Sequence, residues 1–200
     1  MLIIGISGGS GSGKTSFIKD VQSKFAQEEI TILSQDDYYF PKEKQLIDKN
    51  GVINFDLPTS IDLKSFSNDL QRLKAGKTVE RTEYTFNNKT VKPKTLIFKP
   101  SKILIVEGLF VFHVPEMYKM LDLKIMIYAS SALAVIRRIQ RDKVERNYPL
   151  EDVLYRYEHH VLPAYLQYIE PYMDRVDIII NNNINYNKAL DMMISYIKSQ

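Results

Sequence analysis

The sequence predicts an α/β domain in which one parallel sheet is covered by helices on both faces. Three observations carry this. Short apolar runs begin near residues 2, 30, 103, 123 and 176, each the length of a buried strand. Segments with apolar residues at helical spacing separate most of them, and parallel strands need such crossovers. No internal repeat, low-complexity tract or interdomain linker breaks residues 1–200, so a single domain is expected.

Composition removes several classes of function. There is no cysteine, which excludes disulfides, thiolate catalysis and zinc–thiolate sites. A formal charge of +3 is too small by itself to indicate nucleic acid or a membrane surface. The apolar start stops at Gly5 and Ser7 without a preceding cationic segment, so it reads as a strand and not as a signal peptide. No other apolar run approaches the ~20 residues of a membrane span. A cytoplasmic protein without membrane or nucleic-acid partners is expected.

The first strand, Leu2 to Ile6, runs into GGSGSGKTS. Gly8, Gly13, Lys14 and Thr15 match GxxxxGK[ST], the triphosphate-binding loop. Small residues let successive backbone N–H groups curl around a phosphate, and the following helix points its positive N-terminus at the same place. Gly8, Gly9, Ser10, Gly11, Ser12, Gly13, Lys14, Thr15 and Ser16 are therefore the expected nucleotide-binding residues. Lys14 can reach the β/γ-phosphates, and the Thr15 hydroxyl can hold Mg²⁺.

A helix is expected from Thr15 to about Ala26, with Phe17, Ile18, Val21 and Phe25 at helical spacing. The strand Ile30–Leu33 ends at the carboxylate pair Asp36 and Asp37. Ligands of open α/β sheets bind outside the carboxyl ends of strands, which places this pair on the edge that holds the phosphate loop. Residues 42–52 read as a surface loop turned at Asn50-Gly51. NFDLPTSID follows, with Asp56 in an extended stretch and Ser60 as the expected N-cap of a helix over about 63–73. Alternation over about 78–99 predicts a β-hairpin carrying Tyr84 and Phe86.

Ile103 to Val106 is the next strand, with Glu107 at its end as a second candidate metal ligand. Leu123 to Tyr128 is another. Ser131 opens a long helix whose arginines at 137, 138, 141 and 146 outnumber the nearby acids. Such a cluster can cover a transferring phosphoryl group, so a lid is expected over about 137–150. Residues 150–173 form a second helical stretch, kinked by Pro163 and ended near Pro171. His159 and His160 are adjacent, point to different faces and make a poor metal pair. A strand over 176–180 and a helix over 186–197 close the chain.

These parts assemble a small-molecule kinase. Gly8 to Thr15 with Glu107 would hold ATP and Mg²⁺. Asp36 is the candidate base for the acceptor hydroxyl. Lys14, Arg137, Arg138, Arg141 and Arg146 supply cations, and Tyr39, Asp56, Tyr84 and Phe86 are candidates for gripping the acceptor. A guanine-reading NKxD motif is absent. A nucleotide-binding regulator without transferase activity remains the alternative from another class.

GISGGSGSGKT, LSQDDYY, NFDLP, VEGLF, LDLKI, RRIQRD with a following ER, and IEPYMDRVDIII occur here in that order. In this the chain resembles the uridine kinases of the wider uridine kinase and phosphoribulokinase group, over about residues 2–182. The resemblance implies a P-loop kinase fold and ATP- or GTP-dependent phosphorylation of the 5′-hydroxyl of uridine or cytidine. It implies Asp36 as the catalytic carboxylate and Glu107 at the metal. It puts Asp56 and Arg138 at the ribose, Tyr39 and Tyr84 at the nucleoside, and Arg141 and Arg146 near the phosphates. It also implies a homotetramer.

The departures from the family pattern cluster on the acceptor side. Thr85 stands where the family's hairpin has Asp, Lys89 where it has a base-contacting His, Tyr148 for a nucleoside-site arginine, and Arg156 for a glutamine near the ribose. Lys89 and Arg156 would add positive charge there. A kinase of the same fold acting on another, anionic alcohol is therefore the alternative acceptor reading.

Overall fold

The computed structural model describes residues 1–85, 91–145 and 148–200. Its centre is a five-stranded sheet, built from β1 (Leu2–Ser7), β2 (Ile30–Ser34), β7 (Ile103–Glu107), β8 (Leu123–Tyr128) and β9 (Ile178–Asn181). The order is β2-β7-β1-β8-β9 and all pairings are parallel. The chain passes from β1 to β2 and back to β7 on one side, then from β7 across to β8 on the other side of β1, so a crevice opens at the carboxyl end of β1.

Strand alternation builds two cores. Ile3, Leu104, Val106 and Met126 face α2 (Leu63–Lys74) and α3 (Pro115–Tyr118), where they meet Phe66, Leu70 and Met117. Ile4, Ile6, Ile103, Ile105, Ile125 and Ile127 face α1 (Lys14–Gln22) and α7 (Asn187–Lys198), where they meet Phe17, Ile18, Val21, Met193 and Ile197. Each fully buried side chain of this kind contributes about 1.5–3 kcal/mol. The sheet is thus anchored on both faces, and its carboxyl-end loops are held by a rigid frame.

Several boundaries differ from the sequence reading. Helix α1 stops at Gln22, and Ser23 caps it through its N–H to Lys19. The expected loop over 42–52 contains a small hairpin, β3 (Leu46–Ile47) with β4 (Ile53–Asn54), turned at Gly51 in the left-handed region. Asp62, not Ser60, caps α2: its carboxylate accepts from the Ser65 amide at 3.0 Å. Ile61 is extended, so the helix cannot begin until after it, and the Ser60 hydroxyl donates instead to Asn54 O.

The hairpin expected over 78–99 is present as β5 (Val79–Thr82) and β6 (Thr95–Phe98); its tip, residues 86–90, lies outside the described residues. The basic helix is α4 (Ser131–Glu145). The helical stretch after residue 150 carries its irregularity just before Pro163, the expected site of a kink. It comprises α5 (Leu150–Arg156), a π-turn over Tyr157–Val161, α6 (Leu162–Tyr168) and a 3₁₀ segment Glu170–Arg175 that begins around Pro171. Pro163 lacks an N–H, so the preceding turn gives up a regular bond and widens.

Candidate active site

The loop after β1 is shaped by close approach of its backbone to two other elements. A Cβ on Gly11, which sits at φ +81°, would lie 2.3 Å from Ala134 O of α4. One on Gly13, at φ +99°, would lie 2.3 Å from Asn182 Nδ2, beyond β9. Asn182 in turn donates to Ser12 O at 2.8 Å. The loop is therefore wedged between α4 and the end of β9, with Gly13 leading straight into α1. The Lys14 ammonium folds back over it and donates to Gly8 O at 2.7 Å and Gly9 O at 3.2 Å. Burial pushes its pKa below the ordinary value, against the charges of Glu107 and Asp36 that raise it. This cradle of backbone amides, lysine and helix N-terminus fits a triphosphate. Thr15 and Ser16 stand on the exposed first turn of α1.

Strand adjacency then brings the acids to the lysine. In register, Glu107 pairs with Ile6 on one side and with Ser34 on the other. The Ser34 hydroxyl donates to Glu107 Oε1 at 2.5 Å and accepts from the Asp36 amide at 3.2 Å. Asp36 and Asp37 lie in the 3₁₀ turn Gln35–Tyr38 that leaves β2. Burial and then the charge of Asp36 lift the Glu107 carboxyl to about 7, opposed by the Ser34 bond and Lys14. Burial is also the main cause raising Asp37. Two acids forced close together at the floor of a cleft make a place where a cation is welcome.

Helix α4 presents arginines anchored from below by a buried acid. Asp142, 1% exposed, takes Arg138 Nε at 3.2 Å and Arg141 through Nε at 2.9 Å and Nη2 at 2.8 Å. Arg138, itself buried, donates to Ser10 Oγ at 2.9 Å and lies 3.8 Å from Asp56 Oδ1. Arg137 donates to Asn182 O at 3.0 Å, on the carbonyl of the residue that braces the loop. The charge of Arg141 reaches Lys14 and contributes to lowering its pKa.

Opposite stands an aromatic wall. Tyr39 stacks on Tyr84 with ring centroids 5.5 Å apart and meets Phe55 edge-on at 6.3 Å. The Tyr84 amide approaches Asp37 Oδ1 at 3.4 Å, which ties the wall to the acid turn. Arg81 reinforces the tie by donating to Asp37 O at 2.8 Å while lying 3.5 Å over the Tyr38 ring. A small cleft beside Ser10 of the phosphate loop is lined by Asp56, Leu109 and Phe110 and closed by Val161, Ala164 and Tyr165.

The family model described as phosphoribulokinase / uridine kinase matches residues 3–187. The chain belongs to this family. A protein named uridine kinase from Macrococcus caseolyticus is 35% identical over 197 residues, covering 98% of this chain and 96% of that protein. Among solved structures, a possible uridine kinase from Bacillus stearothermophilus superposes with a TM-score of 0.64 at 16% identity, over 89% of this chain and 87% of the other. Phosphoribulokinase from Rhodobacter spheroides gives a TM-score of 0.64 at 18% identity, over 90% of this chain and 69% of the other. These two share the fold. As a member of the family, the chain is an ATP-dependent kinase.

Most residues expected from the sequence meet in this phosphoribulokinase / uridine kinase-family cleft: Gly8 to Thr15, Asp36, Glu107, Arg138, Arg141, Asp56, Tyr39 and Tyr84. Phe86, Lys89 and Arg146 lie outside the described residues. Arg156 makes a backbone contact that its sequence position does not announce. Its Nη1 donates to Ile53 O at 2.7 Å, and its guanidinium sits 5.8 Å from the Tyr148 ring. It fastens β4 with that donor. Four residues went unnoticed in the sequence. Ser34 had a signal, a serine two residues before Asp36. Asp142 had one too, at i+4 from Arg138. Phe55 and Asn182 had none, because their neighbours come from distant segments.

Proposed function

We propose that this chain transfers the γ-phosphoryl group of ATP to the 5′-hydroxyl of uridine or cytidine. The observation that carries the proposal is the junction of β1, β7 and β2. There the phosphate cradle and the acids Glu107 and Asp36 share one edge of the sheet, with the Tyr39–Tyr84 stack tied to the neighbouring Asp37. Asp36 would take the proton of the acceptor hydroxyl. Lys14 and Arg141 would neutralise charge on the transferring group, with Arg137 beside the loop and Arg146 as a further cation. Asp56 and Arg138 would hold vicinal hydroxyls; Tyr39, Phe55 and Tyr84 would pack on the base.

Thr15 and Glu107 would hold Mg²⁺, which would supply charge neutralisation at the phosphate oxygens. GTP is a second possible donor. One domain over residues 1–200, a cytoplasmic setting and a tetramer belong to the same proposal, on the strength of the family resemblance. Among the described residues no helix is long and apolar enough to cross a membrane.

Incubation of labelled ATP with a panel of nucleosides, sugars and phosphorylated alcohols tests the reading. Label should appear in the monophosphates of uridine and cytidine. Transfer to an anionic alcohol instead, or nucleotide binding without any transfer, would overturn it.

A further inference from the structure

Outside the catalytic cleft, one buried titratable group has no role in the reaction described above. His160, 2% exposed, contacts Asp48 Oδ2 through Nε2 at 2.8 Å. The Tyr155 hydroxyl donates to the same oxygen at 2.7 Å and accepts from Asn50 Nδ2 at 2.7 Å. Asp48 Oδ1 accepts the amides of Asn50 and Val52, both at 2.9 Å. Burial works against this carboxylate, but the hydrogen bonds from Tyr155, Val52, His160 and Asn50 more than offset it and hold the group well below the usual carboxylate range.

The π-turn is what allows this meeting. Residues five apart on a regular α-helix point about 140° away from each other. Tyr155 and His160 nevertheless reach one oxygen, because the turn over Tyr157–Val161 carries an extra residue. Arg156, between them, holds Ile53 O. Three side chains from one helical segment thus fasten the β3–β4 hairpin along its loop and its second strand. That strand runs directly into Asn54, Phe55 and Asp56. The Asn54 side chain accepts the Asp56 amide at 2.9 Å, so the position of β4 is passed on to the carboxylate beside Arg138.

We infer that Asp48 and His160 are positioning residues for the acceptor, acting through the β3–β4 hairpin on Phe55 and Asp56. The inference rests on the reading that Asp56 lies at the acceptor. It assigns the π-turn a purpose: it brings a histidine to the one carboxylate that organises the hairpin loop. It also separates two effects, since the hydrogen bonds of Asp48, Tyr155 and His160 are made among themselves and to Asn50 and Val52 of the hairpin.

The test compares His160→Leu, His160→Gln and the milder Tyr155→Phe with the unsubstituted protein. The readouts are steady-state kinetics with uridine and with ATP, and hydrogen exchange at the Asn50 and Val52 amides. His160→Leu should raise the KM for uridine about 10-fold, the scale of losing a hydrogen bond to a charged group. The KM for ATP and kcat should stay within about threefold, and exchange at both amides should quicken. His160→Gln, whose amide can still donate to Asp48, should recover most of the loss, and Tyr155→Phe should show the same pattern more weakly. Unchanged uridine KM, or equal losses for both substrates without rescue by glutamine, would overturn the inference. If the unsubstituted protein does not turn over uridine at all, the functional reading fails instead, and the exchange data alone decide whether the joint holds the hairpin.

Discussion

The two halves of the cleft are built in opposite ways. The nucleotide half is nearly continuous in sequence: Gly8 to Thr15 form one loop, and its donors are largely backbone amides. The half proposed to hold the acceptor is assembled from Tyr39, Phe55, Asp56, Tyr84, Arg138 and the hairpin fastened by Tyr155, Arg156 and His160. A loop of backbone donors works for any triphosphate. A wall of side chains from many segments can be altered one piece at a time, so the acceptor side can diverge while the phosphate side stays fixed.

The contrast can be broken or sharpened by substitution. The largest expected effect on stability falls between the halves, at Asp142. Its removal leaves Arg138 buried beside Arg141 without their shared acid. Asp142→Ala should destabilise the protein by about 3–5 kcal/mol. Thermal denaturation should show a Tm lower by roughly 10 °C. An unchanged Tm would mean that the arginine helix stands without its anchor.

On the nucleotide half alone, Gly11→Ala forces a Cβ against Ala134 O at a left-handed residue. A loss of about 1–3 kcal/mol is expected. It should appear as weaker ATP binding in calorimetry, with uridine affinity little changed. Equal weakening of both ligands would show that the halves are not independent.

On the acceptor half, Tyr84→Ala removes one ring of the Tyr39 stack. Uridine binding should weaken by about 0.5–1.5 kcal/mol while ATP binding holds.

A further effect is one of pH. Glu107 has a folded-state pKa of about 7 against an ordinary 4.5. A carboxyl raised on folding contributes stability that is complete below the unfolded value and is lost as pH rises through the folded one. The nucleotide-free protein should therefore lose stability between about pH 4.5 and 7 from this group, and Glu107→Gln should flatten that part of the profile. A steeper slope in the variant would contradict the assignment.

How much was legible in the sequence follows the same division. The strands, their parallel order of use and the phosphate loop could be read because each is a local pattern. The register Ser34–Glu107–Ile6 could not, since it depends on β7 inserting between β2 and β1, yet it is what crowds Glu107 against Asp36. The arginines of α4 were readable as a charged cluster. Their anchoring on Asp142 and Ser10 was not, because α4 had first to be docked against the loop. The bond from Arg156 to Ile53 O was not readable either, since a replacement seen in isolation does not reveal which backbone carbonyl lies within its reach. Ser60 was misread as a cap for a similar reason: one extended residue, Ile61, moves the helix start to the next available acid.

We propose that the two halves meet at Asp36, which would act on the acceptor hydroxyl without being needed to hold either ligand. Single-turnover phosphoryl transfer by Asp36→Asn, measured alongside equilibrium binding of uridine and of a non-hydrolysable ATP analogue, tests it most directly. Transfer should slow by about 10²–10⁴-fold while both affinities remain near their unsubstituted values. Unchanged transfer, or a loss accounted for by weaker binding, would contradict the claim.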